Sequence, residues 1–170
     1  MKLGSYQKID SHEIRQVFLD YFQALEIPII DYLAIGVQDT IYKTSCSLMS
    51  SQEWQKIFYD QHFALYDPVR KAAFNSHTKF FAFDTLDFQD NYGKEIMRQR
   101  KLHGIENGLV FIRKTLGHNF MLTLATGYKG FAAYPFFIKY QQAINHIFDD
   151  LIQIIHSSTQ QYQPKIYSSS

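Results

Sequence analysis

The stretch GLVFIRKTLGHNFMLTLAT, Gly108 to Thr126, holds two runs rich in β-branched and large apolar residues, separated by the short turn signal Leu116-Gly117-His118-Asn119. Such runs form strands, and strands joined by so short a link must pair antiparallel, because a parallel pair needs a crossover of a dozen or more residues. The same logic applies to IIDYLAIGV (Ile29 to Val37) and IYKTSCSL (Ile41 to Leu48), which flank the turn QDT. A fifth, short strand is expected at KFFAF, Lys79 to Phe83. Two hairpins and a lone strand exclude a doubly wound parallel sheet and point to an α+β fold, with helices covering an antiparallel sheet.

The helical segments lie between and around these strands. Asp10-Ser11-His12-Glu13 reads as a capping box, followed by Ile14, Val17, Phe18, Tyr21, Phe22 and Leu25 on one helical face, with Pro28 ending the run. SSQEWQKIFYDQHFA is a helix started by Ser50 or Ser51, with Trp54, Ile57 and Phe58 on one face. A short helix follows at Asp67-Pro68, where the carboxylate caps and proline takes the first helical position. DFQDNYGKEIMRQRKLHG is a further helix, with Phe88, Tyr92, Ile96 and Leu102 on one side and Gly104 past its end. Its basic run, Arg98 to Lys101, is expected to be a solvated face. The last helix spans about Pro135 to His156, with a stripe running from Phe137 through Ile144, Phe148 and Leu151 to Ile155. Residues 1–160 form one domain on this reading, and 161–170 a polar tail or linker.

Composition narrows the function. The net charge of +1 offers no field to attract nucleic acid. A single cysteine, Cys46, excludes an intrachain disulfide and a multi-thiolate zinc site. No Gly-rich phosphate loop, Gly-x-Ser-x-Gly elbow or His-Glu-x-x-His pattern is present, so nothing argues for an enzyme, a metal or a cofactor. The N-terminus carries no signal-like apolar run and no window suits a membrane span, so a cytoplasmic protein is expected. Aromatics are plentiful, 15 Phe and 12 Tyr, enough for an apolar ligand channel as well as a core.

They concentrate around one carboxylate. Trp54, the only tryptophan, precedes YDPV (Tyr66 to Val69), which is followed by KFFAFD and HGIENGLVF. That succession, from about Phe18 to Ile155, resembles the autoinducer-binding domain of bacterial LuxR-type quorum-sensing regulators. The resemblance implies an α-β-α sandwich with a central antiparallel sheet, binding an N-acyl homoserine lactone between the sheet and one helical layer. It implies that the Trp54 indole N–H donates to the lactone carbonyl and that Asp67 accepts from the ligand amide. Those groups are suited to the task, since an indole only donates and a carboxylate only accepts. Val69 would stand beside them, and Gly108 matches a family glycine on a strand where backbone packs closely. Two positions depart from the pattern. Ser50 stands where the family carries a tyrosine that bonds the acyl carbonyl, with Tyr59 as a substitute on the next turns, and Phe83 stands where a second tryptophan packs on the lactone.

The family's helix-turn-helix domain would begin where this chain ends, at QYQPKIYSSS, so contact with DNA is expected only through a domain outside this chain. Two readings stay open. The domain is a signal sensor that couples ligand binding to folding and homodimerisation, or it is a ligand-independent dimerisation module with a closed or degenerate pocket.

Overall fold

In a strand, successive side chains point to opposite faces of the sheet, and here the two faces differ in size as well as in partners. The computed structural model describes residues 12–75 and 77–161. Along the chain it runs α1 (His12–Ala24), β1 (Tyr32–Asp39), β2 (Ser45–Met49), α2 (Gln52–Asp60), α3 (Pro68–Asn75), β3 (Phe80–Ala82), α4 (Asn91–Leu102), β4 (Asn107–Thr115), β5 (His118–Thr126) and α5 (Ala133–Gln161). The five strands pair antiparallel in the order β2-β1-β5-β4-β3, the α+β architecture expected from the two hairpins.

One face carries large aliphatic and aromatic rows. Leu33, Leu124 and Leu109 lie side by side across β1, β5 and β4, and Ile35, Leu122 and Phe111 form the next row. These pack with Ile14 and Phe18 of α1 and with Ile144, Phe148, Leu151 and Ile155 of α5. The rows of the opposite face are smaller: Tyr32, Ala125, Gly108, then Ala34, Thr123, Val110, then Gly36, Met121, Ile112. Trp54 and Phe58 of α2, Val69 and Ala73 of α3 and Ile96 of α4 cover them. The fold is therefore three layers with two cores, and the thinner core lies under α2–α4.

Element boundaries shift where a local bond network overrides propensity. Ile29 has φ 74, outside the extended region, and β1 starts only at Tyr32. The second strand starts at Ser45 because Asp39 winds up the preceding residues. Asp39 Oδ1 accepts from the N–H groups of Ile41 (2.8 Å) and Tyr42 (2.9 Å), and its backbone bonds Thr44 and Lys43. In α4, the buried side is Gly93, Ile96 and Arg100, while Tyr92 and Leu102 are largely exposed. The helix is thus rotated relative to the expected apolar side, and the basic run is not wholly a solvated face. Asp10 of the expected capping box lies outside the described residues, as do the residues of the tail after Gln161. Among the described residues no helix is long and apolar enough to cross a membrane.

Asp39 generates a pH prediction. The Tyr42 N–H, aided by the Ile41 N–H and nearby His118, holds its carboxyl below the usual range against an opposing effect of burial. A group with a depressed folded pKa stabilises the fold above its unfolded value, about 3.9, and loses that contribution as pH falls through the folded value. Acidification from neutral pH should therefore leave the β1–β2 turn intact through pH 4 and loosen it only below. Carboxyl titration of Asp39 by NMR, with amide exchange at Ile41 and Tyr42, measures this; a midpoint at or above the unpaired value would refute it.

Candidate functional site

The site grows from the starts of α2 and α3 and the last turn of α4, all facing the small-residue side of the sheet. Ser51 caps α2 by accepting from the Trp54 N–H at 3.1 Å, which fixes the first turn and turns the indole inward. Trp54 is fully buried, with the rings of His103, Phe58 and Phe63 at 5.5, 5.9 and 6.0 Å. Among the described residues its Nε1–H has no hydrogen-bond partner. Buried indole donors usually find one, so this group stands out.

Asp67 caps α3, with Oδ1 accepting from the Val69 N–H at 3.1 Å, and Pro68 takes the first helical position. The same carboxylate is gripped by Arg100 of α4. Nη2 donates to Oδ2 at 2.7 Å and Nη1 donates to Oδ1, a bidentate pair. Both side chains are inaccessible, at 1% and 6% exposure. The guanidinium also lies over the rings of Trp54 (5.5 Å) and Phe58 (5.9 Å) and near Met97 Sδ (3.5 Å). Burial alone would disfavour its charge, but the Asp67 carboxylate outweighs this and its pKa lies above the ordinary value. Burial pushes the neighbouring Tyr32 phenol up. Gly93 lets α4 come close enough for this, since a Cβ there would meet Asp90 Oδ1 at 2.9 Å and Pro68 Cγ at 3.0 Å. Tyr66 and Tyr92, stacked at 4.7 Å, clamp the same junction from outside.

Trp54, Asp67, Val69 and Phe83 thus stand in or against one apolar layer, with Gly108 on its floor. A Cβ on Gly108 would lie 2.9 Å from the Leu124 carbonyl and 3.1 Å from the Phe83 ring, so glycine and phenylalanine are matched. Ser50 sits at the rim. Its Oγ accepts from the Leu33 N–H at 2.9 Å, and it lines a cavity of about 170 Å³ with Tyr32 and His103. Tyr59 faces the outer edge of β2 instead. Its hydroxyl donates to the Ser47 carbonyl at 3.0 Å and accepts from the Ser47 N–H at 2.9 Å, covering an edge strand. Arg100 and Tyr32 are site residues that sequence reasoning missed. The signal for Arg100 was present: it continues the i, i+3, i+7 series of Gly93 and Ile96, but four consecutive polar residues masked it.

The pair predicts asymmetric mutant energetics. Asp67→Asn or Arg100→Met alone leaves a buried charge unpaired and should cost about 3–5 kcal/mol, whereas the double variant should cost less than the sum of the two singles. Urea denaturation of the four proteins closes the cycle; additive losses would show that the contact is energetically idle. Gly108→Ala should destabilise by about 1–3 kcal/mol through overpacking, and Phe83→Leu in the same chain should restore part of it.

Comparison with known proteins agrees with this architecture. Residues 13–134 match the autoinducer binding domain family. Comparison with curated protein sequences finds no match. Among solved structures, the N-acylhomoserine lactone dependent LuxR family transcription factor CepR2 of Burkholderia cenocepacia superposes with a TM-score of 0.58 at 13% identity, covering 79% of each chain. Escherichia coli SdiA superposes at 0.56 with 12% identity, over 94% of this chain and 72% of that one. SdiA in complex with octanoyl-rac-glycerol gives 0.53 at 14% identity, over 95% and 73%. By the match over most of its length, and by the fold that carries it, this chain belongs to the autoinducer-binding domain family of LuxR-type regulators.

Proposed function

We propose that this domain is a cytoplasmic signal receiver that binds an acyl signal, an N-acyl homoserine lactone or a related apolar molecule, between the sheet and α2–α4. The observation that carries this reading is the Trp54 Nε1–H, wholly buried and without a partner among the described residues. A carbonyl oxygen placed against it would relieve a penalty of about 1–3 kcal/mol. Val69 and Phe83 then form walls, Gly108 the floor, and Ser50, whose Oγ still has a proton to donate, the rim. Tyr59 reaches the head group only by releasing Ser47, so its role is to cover β2. Met49, Met97 and Met121 border the layer, and their unbranched side chains yield readily to an entering acyl chain. Binding to the folded state alone would stabilise it in proportion to ligand concentration, which couples the signal to folding. Pairing into a homodimer is part of the proposal, with Ile138 and Tyr134 of α5 leaving apolar surface outward.

One observation favours the second reading, a ligand-independent interaction module. Arg100 already occupies the Asp67 carboxylate, so the group that would receive a ligand amide has its partner within the chain.

Native mass spectrometry of the chain with acyl homoserine lactones of graded length and with octanoyl glycerol separates the two. The sensor predicts a one-to-one adduct with at least one of them, weakened about tenfold or more in Trp54→Phe, which keeps the ring and loses the donor. A folded protein that retains none of the probes supports the module instead.

A further inference from the structure

We infer that Arg100 turns the head-group position into a site for a neutral acceptor, so that this domain selects acyl signals whose polar end is an ester, lactone or ketone carbonyl without an N–H. The inference rests on the sensor reading and names the chemistry of its ligand. Asp67 has two carboxylate oxygens; Oδ1 takes the Val69 N–H and an Arg100 N–H, and Oδ2 takes the other Arg100 nitrogen. An amide N–H arriving there meets an acceptor already bound by a charged donor that is itself buried. Three donors fill three of the four lone-pair positions of the carboxylate, so an amide N–H could add only at Oδ2, to an acceptor whose charge the guanidinium already neutralises, and any stronger contact would draw Asp67 away from a guanidinium that lies against the rings of Trp54 and Phe58. What the layer still offers is donor capacity, above all the Trp54 Nε1–H. A carbonyl satisfies that donor and asks nothing of Asp67.

Charge decides between a carbonyl and a carboxylate. Asp67 and Arg100 cancel, so the layer is electrically neutral as folded. A ligand carboxylate would add a buried negative charge to a pair that already cancels, and Arg70 of α3, which also feels Asp67, lies over the Phe74 ring at 5.7 Å and would have to leave it to answer that charge. The other titratable groups facing the pair argue the same way. Tyr32 is a neutral phenol held above its ordinary pKa, and His103 packs on the Trp54 ring at 5.5 Å and faces the exposed Glu53 at 3.6 Å. A neutral acceptor is therefore the head group that leaves neither a polar atom nor a charge unmatched.

The test compares three decanoyl ligands by calorimetric titration of the whole chain: N-decanoyl homoserine lactone, the O-decanoyl ester of α-hydroxy-γ-butyrolactone, which replaces the amide N–H by oxygen, and decanoate. The expected result is that the ester binds about tenfold or more tightly than the amide and than decanoate, the discrimination typical of one buried unmatched polar group. In Arg100→Met the preference for the ester over the amide, which is the one the guanidinium creates, should vanish. If that variant fails to fold, the double variant Asp67→Asn with Arg100→Met, which buries no charge, replaces it and should likewise show no preference. Amide binding equal to or tighter than ester binding in the natural protein overturns the inference and leaves the sensor reading standing. An ester preference that survives removal of the guanidinium also overturns it. Binding of none of the three at ligand concentrations in the hundreds of micromolar, to a protein that denatures cooperatively, removes the sensor reading and the inference together.

Discussion

The buried pair of Asp67 and Arg100 is the contact on which the α2–α4 layer depends. It joins residues 33 positions apart, ties the start of α3 to the last turn of α4, and lays the guanidinium against Trp54 of α2. Desolvating two charges is expensive, and such pairs seldom outperform apolar packing in net stability. What the pair does supply is position. A bidentate guanidinium–carboxylate contact has one good geometry, so three helices that share only a thin apolar core are held in a single relative arrangement. Gly93 and the stacked Tyr66 and Tyr92 belong to the same junction, one allowing the approach and the others bracing it.

The asymmetry of the sheet explains why function concentrates on this side. Under α1 and α5 the rows are leucine, isoleucine and phenylalanine, and the core is filled by the chain itself. Under α2–α4 the floor is mostly alanine, glycine, threonine and valine, with Tyr32, Met121 and Ile112 at its ends, so the layer is completed by what the helices send down onto it. Trp54 and Arg100 are large enough to do so, and both bring polar atoms. The cost of burying those atoms is met for Arg100 by Asp67 and is left open at the Trp54 nitrogen. Such an unmatched donor in an otherwise satisfied core is the usual trace of a position shaped for something other than stability.

Much of the fold was legible because its cues are local. Hairpins announce themselves through short links, α5 through its long apolar stripe, and the caps at Ser51 and Asp67 through single residues at helix starts. Expectation and structure part where the deciding partner lies far along the chain or where a side chain takes over from propensity. Asp39 gathers four backbone partners and delays β2. Burial of Gly93, Ile96 and Arg100 turns α4 away from the orientation that Tyr92 and Leu102 suggest. Tyr59, one turn beyond Trp54 on α2, points to a strand edge because the helix passes β2 on that side.

By itself, the sequence determined the kind of elements, their order, the antiparallel pairing within each hairpin, and the concentration of aromatics around Trp54 and Asp67, since each follows from spacing over a few residues. Only the tertiary structure decided what Asp67 is aimed at. The two roles expected of that residue, helix cap and ligand acceptor, leave out the partner it has, because a charged residue within a basic run carries no local mark of being buried. Burial is a property of where α4 lands on α3 and the sheet, and that is settled by packing between segments that periodicity treats separately. The same packing determines whether the Trp54 donor finds a protein acceptor, and among the described residues it finds none.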